Sequence, residues 1–338
     1  MKAVYLEKKA VSDDDKIFEP ITSVIDTVFY DNTTEADKFE HIGDAEIIFS
    51  NKVTIDEETF RRCPNLKYVG VCATGYNVVD TEAARRHGVA VTNVPAYSTE
   101  AVAQLAWGLI LDSASNISLH NDSVHQGDWI RSEVFCYTIR PIMELSGRTL
   151  GIVGYGNIGR RVAQIAKAFN MNILVHTAHP EKYTGAAGAS EGGAGMSEKS
   201  DTPQTEQSGI RFVSLDELFR ESDVITLHCP MTKETEGMIC AENIAKMKDG
   251  VIIINVSRGG LVVEENLADA LKSGKVMSAA ADVVCEEPMK EGNPLLTAPN
   301  MVITPHIGWS GLRARECLVQ TIADNLKAYL EGRELNRV

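Results

Sequence analysis

The stretch Gly147-Arg-Thr-Leu-Gly-Ile-Val-Gly-Tyr-Gly-Asn-Ile-Gly159 decides the fold of this chain. Its apolar run at residues 150–153 leads into glycines spaced G-x-G-x-x-G, and apolar residues then recur at helical intervals from Val162 to Phe169. A second apolar run at residues 172–175 completes a predicted strand, tight turn, helix and strand. Such a turn lets backbone N–H groups and a helix N-terminus approach a pyrophosphate. We therefore predict a dinucleotide site that includes Gly154, Gly156, Asn157, Ile158 and Gly159.

Thr177 occupies the position that usually separates the two nicotinamide dinucleotides. A carboxylate about 20 residues after the glycines normally binds the ribose hydroxyls of NAD, whereas a cation suits the extra phosphate of NADP. Thr177 can accept a ribose hydroxyl, and its neighbours His176, His179 and Lys182 tolerate a phosphate. NAD is the expected cofactor, and NADP stays open.

The composition excludes several classes of protein. At 338 residues the chain is long enough for two domains, and its net charge of −14 opposes a nucleic-acid or anionic-membrane partner. No apolar run reaches the ~18 residues of a membrane span, and the acidic residues before residue 16 are unlike a signal peptide, which predicts a cytoplasmic protein. The seven cysteines lack C-x-x-C spacing, so neither a disulfide framework nor a metal site is predicted.

The N-terminal part of the chain predicts a small α/β domain that ends near residue 95. Apolar runs at residues 3–6, 24–30, 47–49, 68–71 and 89–91 alternate with polar, helix-like segments, which is typical of a parallel sheet. Thr54 and Glu57 have the spacing of a capping box, and Gly88 has the position of a helix C-terminus.

The rest of the chain predicts a second, larger sheet. A helix from Thr99 to about Ser115 is apolar nearly all round, so we expect it to be buried between domains or in a subunit interface. Further strands are predicted at residues 224–227, 251–255, 279–282 and 301–304, and a final helix at 311–330 is expected to pack on the first domain. Residues 184–209 lack the apolar side chains of a core and are interpreted as a mobile, tolerated insertion beside the adenine side of the cofactor site.

Three polar residues follow predicted strands of the second sheet, at the edge where open α/β sheets bind ligands. They are Arg258, Glu287 and His306. An arginine can bind a substrate carboxylate and polarise its carbonyl, a histidine can protonate the developing alkoxide, and a carboxylate can orient that imidazole. Each residue alone is more simply a surface or structural residue. Together, downstream of a dinucleotide motif, they indicate hydride transfer to a 2-keto acid.

The chain resembles the D-isomer-specific 2-hydroxyacid dehydrogenase family over essentially its whole length. The resemblance is carried by ordered motifs, namely Ala73-Thr-Gly-Tyr-Asn-Val-Val-Asp80, Asn93-Val-Pro-Ala-Tyr-Ser-Thr99, the glycine turn, His228-Cys-Pro-Met-Thr232, Asn255-Val-Ser-Arg-Gly-Gly260, residues 282–288 and Thr304-Pro-His306. Within the family, residues 73–80 and Phe135-Cys-Tyr137 are most similar to glycerate dehydrogenases, also called hydroxypyruvate reductases.

The resemblance implies a role for each matching residue. His306 would be the general acid/base, Glu287 its partner and Arg258 the substrate anchor, with backbone N–H groups around Thr74 and Gly75 on the substrate carboxylate. The implied cofactor contacts, besides the glycine turn, are Thr99, Val102, Thr177, His228, Cys229, Pro230, Val256, Ser257 and Asp282.

The resemblance also implies the architecture. It predicts a Rossmann-type doubly wound domain over residues 101–304 and a smaller, discontinuous, flavodoxin-like α/β substrate domain over 1–100 and 305–338, with the cleft between them. Separately, the apolar helix at residues 99–115 predicts a homodimer.

The implied function is NAD(P)-dependent interconversion of a small 2-keto acid and its D-2-hydroxy acid, with hydroxypyruvate first and glyoxylate second. D-lactate specificity stays open. A formate dehydrogenase is disfavoured because that type resembles this pattern with Gln at the position of Glu287, and a phosphoglycerate type because the chain stops at Val338 without the extra C-terminal regulatory domain usual in that type. An NADH-sensing corepressor and a catalytically silent dinucleotide-binding module are the remaining alternatives.

Overall fold

The computed structural model describes residues 1–184 and 209–338. They form two compact units, one made of Met1–Ser98 with Trp309–Val338 and the other of Thr99–Gly308. The predicted insertion at residues 184–209 lies outside the described residues except at its two ends.

The first unit is built on a five-stranded parallel sheet in the order β2-β1-β3-β4-β5. This order is that of flavodoxin-like sheets, so the predicted fold of the smaller unit is confirmed. The strands coincide with the five apolar runs of the sequence and are β1 (Ala3–Tyr5), β2 (Thr27–Phe29), β3 (Ile47–Ser50), β4 (Tyr68–Val71) and β5 (Ala90–Thr92).

Helices cover this sheet and complete its core. The C-terminal helix buries Leu318, Ile322 and Leu326 against strand residues such as Tyr5 and Phe49, which confirms that it packs on the first unit. The helices of this unit are α1 (Lys8–Val11), α2 (Glu19–Thr22), α3 (Lys38–Ile42), α4 (Glu57–Arg62), α5 (Thr81–Arg86) and α14 (Leu312–Leu330).

The predicted capping box at Thr54 and Glu57 is wrong. The N-cap of α4 is Asp56, whose side chain accepts a hydrogen bond from the Thr59 backbone N–H at 3.0 Å. The Thr59 hydroxyl in turn accepts a bond from the Asp56 backbone N–H at 3.3 Å, which completes the capping box. Ile55 pairs with Val79 in a parallel bridge, so the backbone is still extended where the predicted helix would have begun.

The second unit contains a seven-stranded parallel sheet in the order β12-β11-β10-β9-β6-β7-β8. Strands β7 and β8 extend the sheet on one side of β6, and β9 to β12 extend it on the other side. This is the doubly wound topology of dinucleotide-binding domains. The predicted fold class is therefore confirmed. The strands are β6 (Thr149–Val153), β7 (Asn172–His176), β8 (Ile210–Phe212), β9 (Val224–Leu227), β10 (Val251–Asn255), β11 (Val276–Ala281) and β12 (Met301–Ile303). The sequence did not predict β8, because this short edge strand lacks a continuous apolar run.

The long helix α6 is buried within the second unit. Ala106 and Ile110 pack in the same core as Ile152 of β6, and the ring of Trp107 stacks on Phe169 with centroids 4.7 Å apart. Its apolar surface is thus explained by packing inside one unit. The helices here are α6 (Thr99–Ser115), α7 (Ile117–His125), α8 (Asp128–Arg131), α9 (Asn157–Ala168), α10 (Glu181–Thr184), α11 (Leu215–Glu221), α12 (Ala241–Lys246) and α13 (Glu264–Ser273). No helix in residues 1–184 and 209–338 is long and apolar enough to cross a membrane.

Candidate active site

The glycine turn joins β6 to α9 at the point where the strand order reverses. Gly154 has φ +96°, and a Cβ added there would lie 2.6 Å from the backbone nitrogen of Cys229. A Cβ on Gly159 would lie 2.1 Å from the Gly154 carbonyl oxygen, so both glycines are required by the packing of the protein itself. A Cβ on Gly156 would meet no described atom within 4 Å, and no side chain at this N-cap bonds the first turn of α9. Open space beside free helix N–H groups fits a pyrophosphate.

Residues 228–230 follow β9 and lie directly against this turn. The His228 backbone N–H donates to the Val153 carbonyl at 2.7 Å, and its Nε2 lies 2.9 Å from the Thr226 hydroxyl. The Nδ1 atom is buried without a hydrogen-bond partner among the described residues, and burial lowers the pKa of His228 to about 3. Burial likewise raises the pKa of the Cys229 thiol to about 11. Both side chains are therefore neutral near pH 7.

Thr177 is half-buried beyond the end of β7, the strand next to β6. Its hydroxyl accepts a long hydrogen bond of 3.5 Å from the His179 backbone N–H. The His179 ring lies 3.1 Å from the carboxylate of Glu181, which no sequence motif marks. This end of β7 thus carries imidazole, hydroxyl and carboxylate groups together.

Arg258 stands on a turn that follows β10. The Asn255 side chain holds this turn from both sides: its Oδ1 accepts from the Ser257 N–H at 3.1 Å, and its Nδ2 donates to the Arg258 carbonyl at 2.8 Å. The guanidinium of Arg258 is exposed and donates to the Ser257 carbonyl at 2.7 Å, and no carboxylate of the described residues forms an ion pair with it. Its charge is available to an anionic substrate.

His306 and Glu287 form a direct pair. The Nδ1 atom of His306 lies 2.7 Å from Oε2 of Glu287, and the two side chains are 31% and 29% exposed. His306 has a left-handed backbone, with φ +54°, and its N–H donates to the Asp282 carbonyl at 2.8 Å. Since Nδ1 faces the carboxylate, Nε2 is the nitrogen left to exchange a proton with a substrate.

Asp282 holds the loop that carries His306. This carboxylate is 2% exposed and accepts three hydrogen bonds, from the Thr304 hydroxyl at 2.6 Å and from the Ile307 and Gly308 N–H groups at 2.8 Å each. Val102 of α6 packs beside Gly308, with a Cγ2 atom 3.6 Å from the position of an added Cβ. Asp282, a predicted cofactor contact, therefore holds the His306 loop, and Val102, another predicted contact, lies beside it.

The remaining predicted residues occupy separate positions. Thr74 and Gly75 follow β4 in the first unit, where the Thr74 hydroxyl donates to the Val94 carbonyl at 2.8 Å. Thr99 begins α6, and the side chain of Val256 is buried in the core of the second unit. Pro230 is exposed. The cofactor and substrate roles of these residues stay predictions.

The sheet brings Arg258, Glu287 and His306 to the carboxyl ends of three adjacent strands, β10, β11 and β12. A Cβ on Gly259 would lie 2.0 Å from the Val284 carbonyl, so the turn after Arg258 is in direct backbone contact with the loop that carries Glu287. Among the residues that the structure describes, no group of three or more His, Cys, Asp or Glu side chains is placed to hold a metal ion. The site defines a dinucleotide-dependent oxidoreductase with a cation, a carboxylate and an imidazole at one sheet edge.

Comparison with known proteins agrees with this class. Residues 107–308 match the family model described as D-isomer specific 2-hydroxyacid dehydrogenase, NAD binding domain. The chain is 42% identical over 341 aligned positions to a hydroxypyruvate reductase of Blautia hydrogenotrophica, covering 100% of this chain and 99% of that protein. It is 38% identical to a glycerate dehydrogenase of Methylorubrum extorquens, and the match covers 91% of this chain and 90% of that protein.

A solved structure shows the same architecture. The D-lactate dehydrogenase from Aquifex aeolicus, complexed with NAD and lactic acid, superposes with a TM-score of 0.79 at 28% identity, covering 98% of this chain and 96% of that one. The chain belongs to the D-isomer specific 2-hydroxyacid dehydrogenase family. It is an NAD-binding oxidoreductase, and the resemblance stated from its motifs is confirmed.

Proposed function

We propose that the protein reduces hydroxypyruvate to D-glycerate, reversibly, with a nicotinamide dinucleotide, and accepts glyoxylate as a smaller substrate. The observation that carries the chemistry is the His306–Glu287 pair at the carboxyl edge of the dinucleotide-binding sheet. The choice of substrate is supported by the similarity over whole chains to a hydroxypyruvate reductase and to a glycerate dehydrogenase.

In the proposed reaction, the glycine turn at the start of α9 would hold NADH, and the bound cofactor would supply the hydride that C2 of the keto acid receives. Nε2 of His306 donates a proton to the oxygen on C2, and Glu287 stabilises the imidazolium through Nδ1. Arg258 binds the carboxylate of the substrate and polarises its carbonyl, because a planar guanidinium donates two parallel hydrogen bonds.

The test is the rate of NADH and of NADPH oxidation by the purified protein with hydroxypyruvate, glyoxylate and pyruvate in parallel. We expect the highest kcat/KM with hydroxypyruvate, and loss of turnover in His306→Ala with cofactor binding retained. His87→Ala is a matched control, because His87 also pairs with a glutamate, at 2.8 Å from Glu57, but lies beyond the end of α5 in the first unit. Wild-type turnover by His306→Ala would refute the assignment.

A second candidate is reduction of pyruvate to D-lactate, favoured by the structural likeness to the Aquifex aeolicus enzyme. A higher kcat/KM with pyruvate than with hydroxypyruvate would establish it. Cofactor binding without turnover of any of the three acids would instead favour an NADH-sensing binding protein. The ratio of NADH to NADPH rates measures what the groups around Thr177 accept.

We further propose a homodimer formed through residues 117–142 rather than through α6. This segment exposes large apolar side chains, among them Ile130 at 89%, Phe135 at 88% and Trp129 at 52%. Exposed apolar side chains concentrated in one segment are typical of protein–protein contacts. Sedimentation of the wild type should give a dimer and that of Phe135→Asp a shift towards monomer, and a wild-type monomer at micromolar concentration would refute the proposal. The cytoplasmic location stays a prediction.

A further inference from the structure

Glu264 carries a buried carboxylate outside the proposed catalytic set. It lies in the first turn of α13 and is 9% exposed, beside the apolar residues Val262, Leu267 and Leu295. Its Oε1 accepts the backbone N–H of Cys285 at 2.8 Å, and its Oε2 accepts the Nδ2 group of Asn293 at 2.8 Å. A carboxylate is seldom buried unless such bonds compensate the lost water, so the two bonds define its position.

The two partners of Glu264 belong to the loop that carries Glu287. That loop connects β11 to β12, and apart from one short 3₁₀ turn at Pro294–Thr297 it has no regular secondary structure. Cys285 lies two residues before Glu287, and Asn293 caps the 3₁₀ turn by accepting the Leu295 N–H at 2.9 Å. Glu264 therefore holds the loop on both sides of Glu287.

The helix that bears Glu264 is joined to the turn that bears Arg258. Only the 3₁₀ turn Gly259–Leu261 and residues 262–263 separate them. The same stretch contacts the Glu287 loop twice more, through Gly259 against the Val284 backbone and through the Cys285 thiol, which lies 3.6 Å from the Val262 carbonyl. A displacement of the Glu287 loop relative to α13 would thus change the spacing between Arg258 and the His306–Glu287 pair.

We propose that Glu264 is a positioning residue for the reaction, which ties the Glu287 loop to the Arg258 turn and so sets the distance between substrate anchor and proton donor. The inference rests on the proposed function. A misplacement of about 1 Å can reduce turnover by about 100-fold, so a residue that touches neither substrate nor cofactor can control the rate.

The test compares Glu264→Ala, Glu264→Gln and Glu265→Gln, with kcat, KM, the pH profile and NADH affinity measured for each. Glu264→Ala should lower kcat/KM by about 10- to 100-fold, raise KM and change the limb of the pH profile that reports His306, with NADH affinity unchanged because the glycine turn is not touched. Glu264→Gln keeps an acceptor for the Cys285 N–H but places an amide donor against Asn293 Nδ2, so it should recover only part of the loss. Glu265, exposed on the same turn, is the matched control.

The decisive comparison places Glu264→Ala in a Glu287→Gln background. If Glu264 acts through Glu287, the two losses are less than additive. Full additivity, or wild-type kcat, KM and pH profile in a folded Glu264→Ala protein, would overturn the proposal. If the alanine variant does not fold, Glu264→Gln and Glu264→Asp carry the same comparison.

Amide hydrogen exchange separates this inference from the proposed function. The Cys285 amide should exchange faster in Glu264→Ala than in the wild type, and unchanged exchange would refute the tether whatever the substrate is. If the wild-type protein turned over none of the keto acids, the proposed function would be refuted. The exchange rate of the Cys285 amide would then still show whether Glu264 holds the Glu287 loop.

Discussion

Replacement of Glu287 by glutamine removes one negative charge and almost no volume. The amide oxygen can still accept the Nδ1–H of His306 at the present separation of 2.7 Å, so the ring keeps its orientation. What is lost is the charge that stabilises the imidazolium. The second oxygen of Glu287, Oε1, accepts a long bond of 3.4 Å from the Val284 N–H, so the substitution tests the charge beside His306 together with this weaker contact.

The expected loss of transition-state stabilisation follows from the kind of hydrogen bond that His306 makes before and after the substitution. A hydrogen bond to a charged group contributes about 1.5–3 kcal/mol and a neutral one about 0.5–1.5 kcal/mol, so the change costs about 1–2 kcal/mol. The pair is about one-third exposed on each side, which keeps the effect at the lower end of this range. The lower end corresponds to a decrease of about 5-fold in kcat/KM for the reduction, and about 30-fold is the upper bound.

Steady-state kinetics with hydroxypyruvate over a range of pH provide the assay. Besides the lower rate, the alkaline limb of the kcat/KM profile should move to lower pH, because an amide stabilises the imidazolium less than a carboxylate does. Glu286→Gln is the matched control, since Glu286 is exposed and pairs with Lys290 at 3.2 Å. A rate within twofold of the wild type with an unshifted profile would show that Glu287 does not assist His306.

Four further substitutions test the framework of the site. Asp282→Asn replaces an acceptor by a donor beside the N–H groups of the His306 loop, so it should lower the free energy of unfolding by about 1–3 kcal/mol in urea titrations. An unchanged free energy of unfolding would show that Asp282 does not anchor this loop. Gly154→Ala should lower the free energy of unfolding by about 1–3 kcal/mol or more, because its backbone has a positive φ. Gly156→Ala should leave the unfolding curve unchanged but weaken NADH binding in a fluorescence titration. A larger loss of stability in Gly156→Ala than in Gly154→Ala would contradict the described turn. Burial lowers the pKa of His228 to about 3 in the folded protein, whereas in the unfolded chain the ring is protonated below its ordinary pKa of about 6.5. The stability contribution of the neutral ring is therefore complete above about pH 6.5, and it declines by about 1.4 kcal/mol per pH unit as the pH falls towards 3. His228→Gln should remove this part of the pH dependence of the unfolding free energy between about pH 6 and 5 in denaturant titrations, and equal slopes in the variant and the wild type would refute the prediction.

Local pattern was sufficient for most elements of the fold. The glycine spacing, the alternation of apolar runs with helical segments and the polar residues after strands depend on neighbours within a few residues, so they are visible in one dimension. The fold class, both strand sets except β8, and the docking of α14 on the first unit were predicted on that basis. The capping box failed because the bridge between Ile55 and Val79 keeps the chain extended past Thr54.

The sequence by itself determined the dinucleotide turn and named Arg258, Glu287 and His306 as candidates, because each stands beside a strand or turn that can be recognised locally. Only the tertiary structure decided how these residues are held. Cys285 meets Glu264 across 21 positions, Asp282 meets Gly308 across 26, and the apolar surface of α6 faces strands of its own unit. These contacts depend on which strands are neighbours in the sheet, and hydrophobic periodicity carries no information about that pairing.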